Sequence, residues 1–201
     1  MANLVRAGAI GPSVLVLVGT APHARDAELA HNPQYAEFLG RELLPWLGRT
    51  TGLAAVRDRT VLAGSSLGGL TAAYGALRYP KQFGNVLAQS GAFLWSSSRR
   101  RGAPPTLFRE FRRAPLTPTR FYLDAGSFER AVFPGQSMSL LEGVRRFRDL
   151  LVDKGYPVHF AMFKGGHDYA CWGGTFADGL LYLLGSSARD ALGRPTATPS
   201  P

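Results

Sequence analysis

A serine hydroxyl attacks a carbonyl only when a turn exposes it, a base takes its proton and a donor receives the charge that develops. Gly64-Ser65-Ser66-Leu67-Gly68-Gly69 meets the first requirement by its spacing. It places G-x-S-x-G between a run that reads as a strand and a run that reads as a helix, the context a nucleophile elbow requires. So tight a turn strains the backbone of the central residue. Side chains two positions before and after it would collide, so Gly64 and Gly68 are both expected to be needed. Ser66 is the candidate nucleophile; Ser65 lacks glycine at those offsets. The backbone N–H of Leu67, opening the following helix, is the candidate oxyanion donor. Acyl transfer is the chemistry such a set performs.

The base is expected in Lys164-Gly165-Gly166-His167-Asp168, where glycines allow a loop to carry the His167 ring over a sheet edge. His23 and His31 precede the elbow, and His159 falls inside a strand pattern. The acid should come between Ser66 and His167. Asp124 ends a strand, and Glu129 lies in the turn Gly126-Ser127-Phe128-Glu129, where a loop carboxylate can reach the imidazole; Glu129 is favoured and Asp124 is the alternative. Asp168 is too close to His167 to orient its ring and is expected to fix the loop. The order Ser, acid, His is that of α/β-hydrolases.

These residues need a sheet to hold them. Ser13–Val18, Thr60–Gly64, Asn85–Gln89, Arg120–Asp124 and Val158–Phe163 read as short buried strands. Pro33–Leu47 reads as a helix with Asn32 as its cap and Pro33 in its first position. Further helices are expected at Leu67–Tyr79, at Ser137–Lys154 ending on Gly155, and at Gly174–Leu184. Strands alternating with helices imply βαβ units and a mostly parallel sheet in a three-layer α/β sandwich. Ser96–Pro118, with Arg99-Arg100-Arg101 and several prolines, reads as a surface excursion with a short helix near Phe108–Phe111. Residues 1–184 form the expected domain, and 185–201 a loose Ser/Ala/Thr/Pro tail.

At 201 residues and 45% hydrophobic, the chain is long enough for one domain with a real core. Its +9 charge is carried mainly by arginine and favours anionic ligands. The arginines are scattered or confined to one loop, with no zinc spacing and no recognition-helix pattern, which argues against a nucleic-acid partner. The apolar run Val14–Val18 is too short for a signal core, and no stretch reaches the length of a membrane span. Cys171 is the only cysteine, which excludes an intrachain disulfide and fits a reducing compartment. Neither a cofactor nor a metal site is expected.

Several blocks of the chain resemble the enterochelin (ferric-enterobactin) esterases within a wider esterase family that also holds carbohydrate and feruloyl esterases. They are Arg25-x-x-Glu28-Leu29-x-x-Asn32, Glu42-Leu43-Leu44-Pro45-Trp46-Leu47, Val61 through Gly69, and Gln89-Ser90-Gly91-Ala92-Phe93-Leu94-Trp95. The last, Gly165-Gly166-His167-Asp168-Tyr169-Ala170-Cys171-Trp172, is the most specific to the siderophore branch. The resemblance implies an α/β-hydrolase fold and a cytoplasmic serine esterase that cleaves a catecholate trilactone and releases its iron. Ser66 would be nucleophile, His167 base and Glu129 acid. Arg25, Trp95 and Trp172 are candidate walls of a site for an anionic ferric siderophore. The alternatives are a family esterase for acylated sugars or aryl esters, or a truncated, non-catalytic remnant. The family pattern continues with Arg after the Cys-Trp pair, where this chain has Gly173. By the resemblance, relatives also carry an N-terminal domain and further strands ahead of Met1. One of those strands would lie between Ser13–Val18 and the elbow strand, so the chain is expected to be a fragment or to carry a misplaced start.

Overall fold

The computed structural model describes residues 1–98, 103–132 and 136–185. Arg99-Arg100-Arg101 and the expected tail beyond Gly185 lie outside the described residues. Four parallel strands form one sheet in the order β1 (Val61–Ser65), β2 (Asn85–Gln89), β3 (Arg120–Gly126), β4 (Val158–Phe163). Ser65 pairs with Gln89, Gln89 with Asp124 and Asp124 with Ala161, so the carboxyl ends of the strands lie side by side. The helices are α1 (Ala2–Arg6), α2 (Arg25–Leu29), α3 (Pro33–Glu37), α4 (Leu44–Thr51), α5 (Leu67–Arg78), α6 (Thr106–Arg113), α7 (Leu140–Asp153) and α8 (Tyr169–Leu184).

Strand side chains alternate between two helical layers. Val86, Ala88, Phe121, Leu123 and Ala125 pack with Leu70 of α5, Phe111 of α6 and Phe147 of α7. Leu87 and Tyr122 face the other way, onto Leu180 and Leu183 of α8 and Leu4 of α1. The result is the expected three-layer α/β sandwich. Burying each of the Val, Leu and Phe side chains among these contributes about 1.5–3 kcal/mol, which is what ties the helices to the sheet.

Most strands and helices form where the pattern places them. Asn32 Oδ1 accepts from the amides of Gln34 at 2.8 Å and Tyr35 at 3.2 Å, and so caps α3. The expected Pro33–Leu47 helix then runs on through a π-helical turn, Phe38–Leu43, into α4. Ser139 Oγ accepts from Glu142 N at the head of α7, and Gly155 turns the chain at its end with φ of 89°.

Three expectations are corrected. Ser13–Val18 is no strand: its residues form no ladder, and Leu17 is 85% exposed. A strand of such composition needs a neighbour for its N–H and C=O groups and cover for both faces. Among the described residues β1 has a neighbouring strand only on its β2 side. A cavity of about 1050 Å³, lined by Val14, Val16, Val18, Val61 and Leu62 together with side chains of both helical layers, occupies its other flank. Second, Ser96–Pro118 is not wholly a surface excursion, because α6 buries Leu107, Phe108 and Phe111 in the main core. Third, α8 begins at Tyr169 rather than Gly174, because Asp168 Oδ1 accepts from Cys171 N at 2.9 Å and caps it. Asp168 thus fixes the segment, as expected, by starting a helix.

Candidate active site

Each of the four strands delivers one polar side chain beyond its carboxyl end: Ser66 after β1, Ser90 after β2, Glu129 after β3 and His167 after β4.

At Ser66 the backbone enters a region that side chains disfavour, with φ 57° and ψ −120°. The turn is held by Ser66 N donating to Gln89 O at 2.9 Å, and by Ser66 O accepting from Ala92 N at 2.9 Å and Leu70 N at 3.2 Å. A Cβ on Gly64 would stand 2.4–2.9 Å from the backbone of Gly68, so glycine is obligatory at 64. At Gly68 a Cβ would meet nothing within 4 Å, which corrects the expectation that both glycines are needed for space. Among the described residues the Leu67 N–H has no acceptor, as expected for the first turn of a helix, and is free to receive a developing oxyanion.

His167 Nδ1 lies 2.5 Å from Glu129 Oε1. The ring is 32% exposed, whereas the Glu129 side chain is 1% exposed. The other carboxylate oxygen, Oε2, accepts from Gly126 N at 2.7 Å and from Ser90 Oγ at 2.9 Å. A buried carboxylate with both oxygens bonded is held in one orientation. Among the described residues Asp124, the alternative acid, makes no hydrogen bond to the imidazole. It is fully buried, Gln89 Nε2 reaches its Oδ2 at 3.5 Å, and among the described residues its Oδ1 has no partner. Burial pushes its carboxyl up to about 6, against the opposing pull of hydrogen bonds from Thr175, Gln89 and the Ser90 amide.

The His167 loop reaches back across the sheet. Trp172 O accepts from Gln89 Nε2 at 2.8 Å, and the Trp172 ring stands edge-on to His167 with centroids 4.7 Å apart. Gln89 is the residue whose carbonyl holds the amide of Ser66, so imidazole and hydroxyl are tied to the same strand end. Among the described residues no hydrogen bond joins Ser66 Oγ to the ring, which is common for catalytic pairs before substrate binds.

The three expected wall residues fall in different places. Arg25 opens α2, half-exposed and 3.6 Å from Asp26. Its helix is tethered near the elbow by Thr71 Oγ donating to Leu29 O at 2.8 Å. Trp95 stacks on His31 at 5.5 Å, and His31 in turn bonds Glu110 at 3.0 Å and lies 4.0 Å from the Tyr74 ring. Trp172 is buried behind His167 and forms no open wall. Ser90 was not singled out from the sequence. The available signal was its place after a buried strand and before Gly91, matching the place of Ser66 after β1, and it too has positive φ, 47°. No cluster of metal-ligating side chains occurs among the described residues. No helix among them is long and apolar enough to cross a membrane.

A family model described as Putative esterase matches residues 5–183. The chain is 33% identical over 190 residues to the iron(III) enterobactin esterase of Dickeya dadantii, covering 89% of this chain and 42% of that protein. It is 37% identical over 140 residues to the iron(III) salmochelin esterase of an Escherichia coli strain, covering 65% of this chain and 32% of that one. The enterobactin esterase of Shigella flexneri, solved in the presence of enterobactin, superposes with a TM-score of 0.77 at 30% identity, over 90% of this chain and 44% of that one. A fluorophosphonate-binding serine hydrolase of Staphylococcus aureus, at 19% identity and TM-score 0.62, shares the fold. This chain therefore spans less than half the length of these enterobactin and salmochelin esterases. It has the α/β-hydrolase fold and belongs to the Putative esterase family.

Proposed function

We propose that this chain carries the catalytic centre of a serine esterase that hydrolyses the ester bonds of a catecholate siderophore. One observation carries the reading most: the strained elbow at Ser66 and the Glu129–His167 pair, its carboxylate buried and its imidazole partly exposed, stand at the same sheet edge, tied to the same strand end. In the proposed reaction His167 Nε2 takes the proton of Ser66 Oγ as that oxygen bonds to the ester carbonyl carbon. The Leu67 N–H receives the oxyanion, and Glu129 faces the imidazolium that forms. When the tetrahedral intermediate collapses, the bond to the alcohol oxygen breaks and His167 returns the proton to it. Water then releases the acyl group from Ser66 by the same steps. The named activities of the enterobactin and salmochelin relatives support the substrate class. An anionic ferric complex also suits a chain of charge +9. The reading places the reaction in the cytoplasm, in keeping with a single, unpaired cysteine.

The test is incubation with ferric enterobactin and with p-nitrophenyl esters, for the wild type and Ser66→Ala, followed by mass analysis. Release of dihydroxybenzoyl-serine units by the wild type alone supports the proposal. Hydrolysis that survives Ser66→Ala removes Ser66 from its role.

A second reading, in which the centre works only after a further polypeptide segment completes the sheet, is favoured by the bare flank of β1 and the exposed Ser13–Val18 segment beside it. Hydrolysis by the isolated, folded chain would exclude it.

A further inference from the structure

The least explained feature of the site is an indole–hydroxyl–carboxylate line behind it. Trp172 Nε1 donates to Ser90 Oγ at 2.9 Å, and Ser90 Oγ donates to Glu129 Oε2 at 2.9 Å. Glu129 Oε1 meets His167 Nδ1 at 2.5 Å. We propose that Ser90 and Trp172 are positioning residues that lock Glu129 onto His167 and thereby fix which ring nitrogen carries the proton. The inference rests on the esterase reading for its consequence, not for its geometry.

The chemistry of the groups gives the line a direction. An indole N–H can only donate, and an ionised carboxylate can only accept. Ser90 Oγ lies between them, so it must accept from Trp172 and turn its single proton toward Glu129. Without the indole the hydroxyl is free to rotate. Without the hydroxyl, Oε2 keeps only the Gly126 amide, and the carboxylate can swing about that bond. Ser90, Glu129 and Trp172 are all buried, so no water replaces a lost donor without a cavity to hold it.

The backbone around the line is costly to hold. Ser90 adopts φ of 47°, anchored by its amide donating to Asp124 O at 2.9 Å. Such a conformation costs on the order of 1–3 kcal/mol and persists where its surroundings enforce it. The first turn of α8 is pinned by Gln89 Nε2 donating to Trp172 O at 2.8 Å and by the Asp168 cap. Trp172, which ends the most specific sequence block, thus reaches the base through Ser90 and Glu129, in addition to touching its ring.

The test reads the tautomer of His167 directly. Ring ¹⁵N chemical shifts are measured on the full chain at a pH where the imidazole is neutral, for the wild type, Ser90→Ala, Trp172→Phe and the double variant. Trp172→Phe keeps an aromatic ring against His167 and removes the donor, at the cost of some buried volume. The wild type is expected to hold the Nδ1–H form. Ser90→Ala should give a mixture of both tautomers, Trp172→Phe a smaller change in the same direction, and the double variant no more than Ser90→Ala, because Trp172 acts through Ser90. If the chain hydrolyses p-nitrophenyl esters, kcat should fall by roughly tenfold in Ser90→Ala while KM stays within about twofold. An unchanged tautomer in both folded single variants, or additive changes in the double variant, overturns the proposal. A wild type without the Nδ1–H form overturns it as well. A locked tautomer in a chain that hydrolyses no ester leaves the positioning line standing and counts against the esterase reading alone.

Discussion

Asp124 within β3 and Glu129 just beyond it are two buried carboxylates with opposite fates: Glu129 has a partner on each oxygen, whereas among the described residues Asp124 Oδ1 has none. Burial lifts the Asp124 carboxyl from 3.8 to about 6. The folded chain therefore binds this proton more tightly than the unfolded chain does. Stability from this group is fully present below the ordinary carboxylate value and is lost as pH climbs toward about 6. That interval corresponds to roughly 3 kcal/mol. Asp124→Asn, which cannot ionise, should flatten the fall in melting temperature between mildly acid and neutral pH. Thermal melts of both proteins across that range check it; parallel curves would place the wild-type loss elsewhere.

The elbow gives a sharper contrast. A Cβ at Gly64 collides with the backbone of Gly68, which no rotamer can relieve, whereas a Cβ at Gly68 meets open space. Gly64→Ala should therefore destabilise the chain by about 3 kcal/mol or more, or distort the turn. Gly68→Ala should stay within about 1 kcal/mol of the wild type, since alanine suits a helix better than glycine. Urea unfolding of the two variants distinguishes them. Equal losses would mean that the turn needs glycine at 68 for a reason other than space.

The bare flank of β1 predicts how the isolated chain behaves. Leu17 is 85% exposed, and Val14, Val16 and Val18 line the adjoining cavity. Leu17→Lys should leave unfolding within about 0.5 kcal/mol of the wild type, because little burial is lost. It should also lower self-association, since a free strand edge beside exposed apolar side chains invites pairing. Light scattering alongside urea unfolding reads both. A large loss of stability would show that Leu17 is packed in solution.

Periodicity made most of this fold legible. β2 and β4 form with the expected bounds because short, mostly apolar runs between turn residues have few other options. Ser13–Val18 has the same local signature and fails, because a strand is a pairing and its partner is not a property of its own sequence. The start of α8 was missed for a related reason: Gly165-Gly166 suggested a long loop, while the Asp168 cap acts only once the amide of Cys171 is in place. At the candidate site, motif and chain order single out Ser66 and His167 and leave Glu129 and Asp124 as candidate acids, of which Glu129 is the one bonded to the ring. Ser90 could not, because its role depends on Trp172 far along the chain coming to lie over the end of β2.

The Glu129 environment also dictates what an amide would do in its place. Gly126 N and Ser90 Oγ both donate to Oε2, so a glutamine at 129 must turn its carbonyl oxygen toward them. Its NH2 group then faces His167 Nδ1 and donates to it. The ring can accept only by moving its proton to Nε2, the nitrogen needed to take the proton of Ser66. Glu129→Gln should therefore fold normally and bind ester with little change in KM, while kcat falls by about 10³–10⁴. Steady-state kinetics on a p-nitrophenyl ester, with circular dichroism to confirm folding, check this. Near-wild-type kcat in a folded Glu129→Gln protein would remove the carboxylate from the catalytic set and leave a Ser66–His167 pair.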